Sequence, residues 1–203
     1  MLKEFKCVDG CSDCCNYREY YPSIKYGKIG VILLPEEKMR IEVLAKSMNV
    51  KINILPRLGI GKSTSGLGPN RIIAYQIMGK QLDGNLCPFL TVGGSEKSPN
   101  QAFKCNIYKD RPLACQAYPV IEENGTTTTL DNKCQFCTIN RSTLAGANGL
   151  EDEILSLVKI KSKMKVDQET EIWRYATAIG EPQHRQKLLP EGWVLENLGQ
   201  VSK

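Results

Sequence analysis

Phe5-Lys6-Cys7-Val8-Asp9-Gly10-Cys11-Ser12-Asp13-Cys14-Cys15 places four of the chain's nine cysteines within nine residues, spaced C-x3-C-x2-C-C. Cys11 and Cys14 have the C-x2-C spacing by which two thiolates grip one metal ion from a single turn. Gly10 supplies backbone freedom for such a knuckle, and Asp9, Ser12 and Asp13 favour a turn over a regular helix or strand. On an extended backbone Cys14 and Cys15 point to opposite sides, which predicts either a cluster with several metal atoms or two adjacent sites. The rest of the fold is expected to gather around this stretch, with the other five cysteines as further ligands.

Size and composition set the bounds. At 203 residues the chain is long enough to bury a core as one domain with an appended tail. No stretch reads as a transmembrane helix, and Met1-Leu2-Lys3-Glu4-Phe5 lacks the apolar core of a signal peptide. A cytoplasmic location is expected, where thiols stay reduced and clustered cysteines bind metal rather than form disulfides. The formal charge of +5 counts every cysteine as neutral. Each four-thiolate zinc site would contribute about −2, so two such sites leave about +1. The densest basic run, Lys159-Ile160-Lys161-Ser162-Lys163-Met164-Lys165, reads as a solvated helix face. Nucleic acid and membrane are not expected as partners; metal ions are.

Taken in order, Ile29–Leu34 is an apolar run broken by Gly30 and predicts a short buried strand. Pro35-Glu36-Glu37 opens a helix to about Asn49, with Met39, Val43, Leu44 and Met48 expected on its buried side. Val50–Leu58 predicts irregular chain or a short helix. Gly61-Lys62-Ser63 invites a phosphate-loop reading, but G-x4-G-K-[ST] requires glycine where Pro56 stands. The next residues, Thr64-Ser65-Gly66-Leu67-Gly68-Pro69, predict a flexible loop rather than a helix start. Arg71–Met78 alternates as a strand, Asp83-Gly84-Asn85 turns, and residues 91–101 form a loop. Asp110 is a candidate cap for a short helix ending before Pro119.

Cys7-x3-Cys11-x2-Cys14-Cys15, then Cys87-Pro-Phe-Leu, then Cys105-x-Ile-Tyr-x-x-Arg-Pro-x-x-Cys115-x-x-Tyr-Pro resembles the zinc- or iron-chelating CxxCxxCC domain of the YkgJ-like cysteine-cluster proteins. The resemblance spans about residues 5–137. It implies chelation by Cys7, Cys11, Cys14, Cys15, Cys87, Cys105 and Cys115, with Arg111 and Tyr118 as scaffold. The related cysteine domain of flagellin lysine N-methylases keeps a cluster-dependent protein-modifying enzyme, or a redox enzyme, as the alternative to a metal-binding module.

Val120–Leu130 reads as a hairpin, with Asn124-Gly125 predicting a type I′ turn and four threonines favouring strand. It delivers Cys134-Gln135-Phe136-Cys137, a second C-x2-C, read as a metal half-site because no βαβ context supports a thioredoxin-like pair. Glu151–Val158 and Glu169–Ile179 carry Ile154, Leu155, Val158, Ile172, Trp173 and Tyr175, which predict helical packing faces. The last stretch, through Trp193, packs back or frays. His184 is the only histidine, so ligation falls almost wholly to sulfur and Cys–His or Ser–His nucleophile pairs are excluded. Cys7-x3-Cys11-x2-Cys14 is also the radical-SAM spacing, but no repeated βα pattern follows it.

The expectation is an α+β fold: a cysteine-cluster metal-binding domain over residues 1–140 and a helical extension over residues 141–203 packed on it. Thiolate-only ligation suits zinc and iron, including a 4Fe–4S cluster. The crowded N-terminal run and Cys87-Pro88 lean toward iron–sulfur, whereas Cys134 and Cys137 lean toward zinc.

Overall fold

The structure is a computed structural model that describes residues 13–16, 20–23, 26–62, 68–80, 86–93, 102–139, 149–167, 170–177 and 191–196. Cys7, Cys11, the Asp83–Asn85 turn and His184 lie outside them. The fold is α+β. Its largest element is an antiparallel sheet in the order β11-β10-β4-β5-β3. The strands are β3 (Val31–Leu33), β4 (Ile54–Ile60), β5 (Arg71–Ile77), β10 (Ile172–Thr177) and β11 (Glu191–Glu196).

Gly30 divides the apolar run as expected. Before it, β2 (Gly27–Ile29) pairs with β1 (Tyr20–Ser23); after it, β3 joins the large sheet beside β5. A Cβ on residue 30 would collide with the Ile77 carbonyl oxygen, so glycine is required for this close crossing.

Helix α2 spans Pro35–Ser47, with proline and two acids in its first turn. Its buried row is Glu37, Ile41 and Ala45, spaced four apart. Leu44 and Met48 pack against the same core, but Met39 and Val43 are 71% and 63% exposed, contrary to expectation. At about 100° per residue they fall on a different face from the Glu37–Ile41–Ala45 row.

Residues 91–93, expected to open a loop, belong to a strand instead, and two longer segments expected to be irregular or helical are strands as well. The 54–60 segment runs between β5 and β10, and the Ile172–Thr177 segment is bracketed by β4 and β11. Ile, Trp and Tyr suit a pleated surface, and cross-strand pairing outweighs their apparent helical spacing. The final segment is ordered as β11, with Trp193 edge-on to Tyr175 at 5.3 Å between ring centroids. Helix α5 (Glu151–Lys163) forms, but it buries Ser156 and Ile160, whereas Leu155 and Val158 are exposed.

The core has two main apolar clusters. Leu58, Ile60, Ile73 and Ala74 meet Met164, Val166 and Ile172. Leu33, Ile41, Ala45 and Ile77 meet Cys87, Phe89, Leu90 and Ile107, which ties the cysteine-bearing segments to the sheet and α2.

Candidate metal centre

Seven of the nine cysteines fall within the described residues, and short elements carry them. Cys14 and Cys15 sit in a single helical turn, α1 (Asp13–Asn16), not in the turn-only backbone expected. Their sulfurs are 3.9 Å apart. Consecutive side chains diverge by about 100° on a helix rather than 180° on a strand, which allows this approach. Two thiolates about 2.3 Å from one tetrahedral ion would stand about 3.8 Å apart, so the pair has the spacing of two ligands on a single metal atom.

Cys87 is joined to this turn through the backbone, its N–H donating to the Cys15 carbonyl at 2.7 Å. The ladder of β6 (Leu90–Gly93) and β7 (Ala102–Cys105) sets Leu90 opposite Cys105. This brings the β7 cysteine back to the Cys87-Pro88-Phe89 turn. Cys15, Cys87 and Cys105 all pack on the core formed by Leu33, Ile41, Phe89 and Ile107.

After Cys105 the chain makes a short 3-10 turn (Tyr108–Asp110) and then helix α3 (Leu113–Gln116), which holds Cys115. Asp110 does not cap α3. The cap position is Pro112, and the Leu113 N–H donates to Glu37 Oε1 of α2 at 2.7 Å. Glu37 Oε2 accepts the Leu34 N–H at 2.9 Å, so one carboxylate, 6% exposed, closes the N-termini of two helices. Pro35-Glu36-Glu37 signalled the first of these roles; no local pattern signalled the second.

Burial pushes the Cys105 thiol above its ordinary range. The Ile107 backbone N–H opposes that rise, the Cys87 and Cys115 thiols add to it, and Arg111 pulls back down. Arg111 holds its place by donating from Nε to the Tyr108 carbonyl at 3.0 Å and by lying 3.9 Å from the Tyr108 ring centroid.

Cys134 and Cys137 follow the hairpin of β8 (Val120–Glu123) and β9 (Thr128–Leu130). The hairpin is present, but its turn is not the two-residue type I′ expected. Residues 124–127 make a longer connection, in which Asn124 Oδ1 accepts the Thr126 and Thr127 N–H groups at 3.1 and 2.8 Å. Cys134 stands just before helix α4 (Gln135–Ile139), Cys137 lies within it, and both are buried against Tyr118, Leu130 and Phe136. Burial first, then the Cys134 thiol and the Asp131 carboxylate, push the Cys137 thiol up to about 12. A metal bound by this pair must displace that proton, so its affinity rises with pH.

Among the described residues, no three Cys, His, Asp or Glu side chains are drawn around one point as a ready ligand set. The described sulfur donors come instead from separate short elements, Cys15, Cys87 and Cys105 on one core and Cys134 and Cys137 on another, with no histidine among them. That chemistry suits a soft, thiolate-bound ion.

A thiolate-rich metal-binding domain is the class of protein that these residues define. A family model described as a putative zinc- or iron-chelating domain, CxxCxxCC, matches residues 6–138. The chain belongs to that family. No curated protein and no solved structure matches it. No helix among the described residues is long and apolar enough to cross a membrane.

Proposed function

We propose that the chain binds zinc or iron through its cysteines and that the bound metal staples the short cysteine-bearing elements together. The observation that carries this reading is the packing of Cys15, Cys87 and Cys105, from separate segments, on one core, with Cys14 beside Cys15. Cys7, Cys11, Cys14 and Cys115 supply the further thiolates of this centre; seven exceed the four of one tetrahedral ion, so the centre holds more than one metal atom. Cys134 and Cys137 supply a second half-site. The ligands belong to residues 1–140. Residues 141–203 act as support, through α5 and the two strands that complete the sheet.

The 3.9 Å separation of the Cys14 and Cys15 sulfurs favours a tetrahedral ion or a single iron bearing both. A four-iron cluster takes one thiolate per iron and would set them wider apart. A four-iron cluster is therefore disfavoured at this pair; zinc is the occupant put to the test, with a single iron or a two-iron cluster, whose irons also carry two thiolates each, as the outcome that would replace it. The chain is placed in the cytoplasm, where a thiolate site stays reduced.

The test is anaerobic purification followed by elemental analysis, acid-labile sulfide assay and a visible spectrum. A colourless protein with stoichiometric zinc, reduced by at least half in Cys14→Ser and in Cys105→Ser, is the expected result. Visible charge-transfer bands with iron and sulfide would replace zinc by a cluster. A folded wild-type protein that takes up neither metal would overturn the reading.

A further inference from the structure

A second polar site lies on the sheet and uses none of the cysteines. Pro56 pairs with Tyr75 and Leu58 with Ala74, successive residues of β5, so Arg57 is the extra residue of a β-bulge. Bulges re-aim side chains and gather beside functional sites. Arg57 Nη1 donates to the Gly30 carbonyl at 2.7 Å, and no carboxylate pairs with Arg57 among the described residues.

Arg57 borders a recess of about 20 Å³ that opens to solvent and is lined by Tyr26, Lys28, Gln76, Arg174 and Tyr175. Arg174 comes from β10, its guanidinium carbon 5.3 Å from the Tyr26 ring centroid. Its Nε bonds Glu196 Oε2 at 2.8 Å. Three cations thus border or line the recess, and the carboxylate of Glu196 is committed to Arg174. The Arg57 guanidinium is held down to about 10, first by burial and then by repulsion from Arg174. It remains charged at neutral pH and gains from any anion that enters. Gln76 supplies rigid backing, its Nε2 donating to the Pro56 carbonyl and its Oε1 accepting the Gly30 N–H.

We propose that this recess is an anion-binding site, in which the Arg57 and Arg174 guanidinium groups take the oxygens of a small phosphate- or carboxylate-type anion. Planar guanidinium forks match both groups, and two of them on one recess select an oxyanion over a neutral ligand. The volume accommodates one or two water-sized atoms at roughly 10–15 Å³ each. Only the anionic end of a ligand enters, and the remainder stays in solvent.

The experiment uses the full-length, metal-loaded protein at low ionic strength. Inorganic phosphate and acetate are titrated against chloride at matched ionic strength, with melting temperature and calorimetry as readouts. Saturable binding of phosphate or acetate is expected, weakened at least tenfold in Arg57→Gln, with metal content unchanged. Response to phosphate alone assigns a phosphate-type ligand, and response to acetate as well assigns a carboxylate-type one. The site is overturned if the wild-type protein shows no saturable response up to about 10 mM of either ion. It is equally overturned if chloride acts as well or if Arg57→Gln binds like the wild type. Should Arg57→Gln fail to fold, Arg174→Gln is held to the same criterion.

Discussion

The five-stranded sheet and the cysteine-bearing side of the molecule hold their backbones in different ways. The sheet joins β4 and β5, each seven residues long, and covers them with α2 and with Met164 and Val166 just after α5, over buried Leu, Ile and Ala side chains. The cysteine side is made of pieces: α1 and α3 have four residues each, β6 and β7 four each, and α4 has five. Isolated helices of that length, and two-stranded ladders alone, are not stable in water. The lesson is that the long strands and α2 form a continuous sheet core, whereas the short cysteine-bearing pieces share only the Leu33–Ile41–Phe89 cluster, and the proposed metal would supply the link that their length does not.

Removing the metal should break this contrast most strongly. A structural zinc contributes about 10–16 kcal/mol in small thiolate domains. Treatment with a chelator should therefore expose the amides of residues 102–139 to rapid hydrogen exchange while those of Arg71–Ile77 stay protected. Simultaneous exchange in both regions would show one cooperative unit and dissolve the distinction. The reciprocal perturbation is Ile73→Ala in the cluster remote from the cysteines, expected to cost about 2–5 kcal/mol in denaturant unfolding. Metal content should be unchanged; a parallel loss of metal would show that the two regions are not separable.

Glu37→Gln acts at the seam. A carboxamide offers one acceptor where two N–H groups need one each, so about 1–3 kcal/mol should be lost. The loss should appear in exchange at the start of both α2 and α3, and loss at α2 alone would disprove the bridging role. The smallest effect is expected at the surface, where Lys163 of α5 meets Glu36 of α2 at 3.1 Å. The Glu36 carboxyl is held below its ordinary 4.5 by its own backbone N–H first and by Lys163 second. Its contribution is present above that value and lost as pH falls through the lower folded-state value. Glu36→Gln should cost under about 0.5 kcal/mol at pH 7, with the difference from wild type vanishing in acid. A difference that grows in acid would reverse the assignment.

Much of this was legible in the chain. Pro35-Glu36-Glu37 marked the start of α2, the threonine run marked the hairpin, and the alternation of residues 71–77 marked β5. The spacing of Cys7 through Cys115 marked the family. Non-local pairing stayed hidden. Pro56 and Gly59 obscure β4, which exists because β5 and β10 flank it, and β10 carries residues that also fit a helix. On α2 the choice between two apolar faces was settled by the surface opposite, and Ile41 and Ala45 prevailed over Met39 and Val43. In the site, the close approach of Cys14 and Cys15 depends on a four-residue helical turn that no local rule requires. Arg57 was invisible because only the register shift of β4 gives it a special position.

Gly30 has a consequence for how this chain tolerates mutation. Its N–H serves Gln76, its carbonyl serves Arg57, and its missing side chain leaves room for the Ile77 carbonyl. A saturation scan across residues 26–34 should therefore show alanine rejected at Gly30 for want of space, apart from the backbone strain expected at Gly27 (φ 74°) and the core losses at Leu33 and Leu34. Variants at Gly30 would disturb the strand crossing and the arginine recess together, although Arg57, Gln76 and Ile77 all lie far from it in sequence.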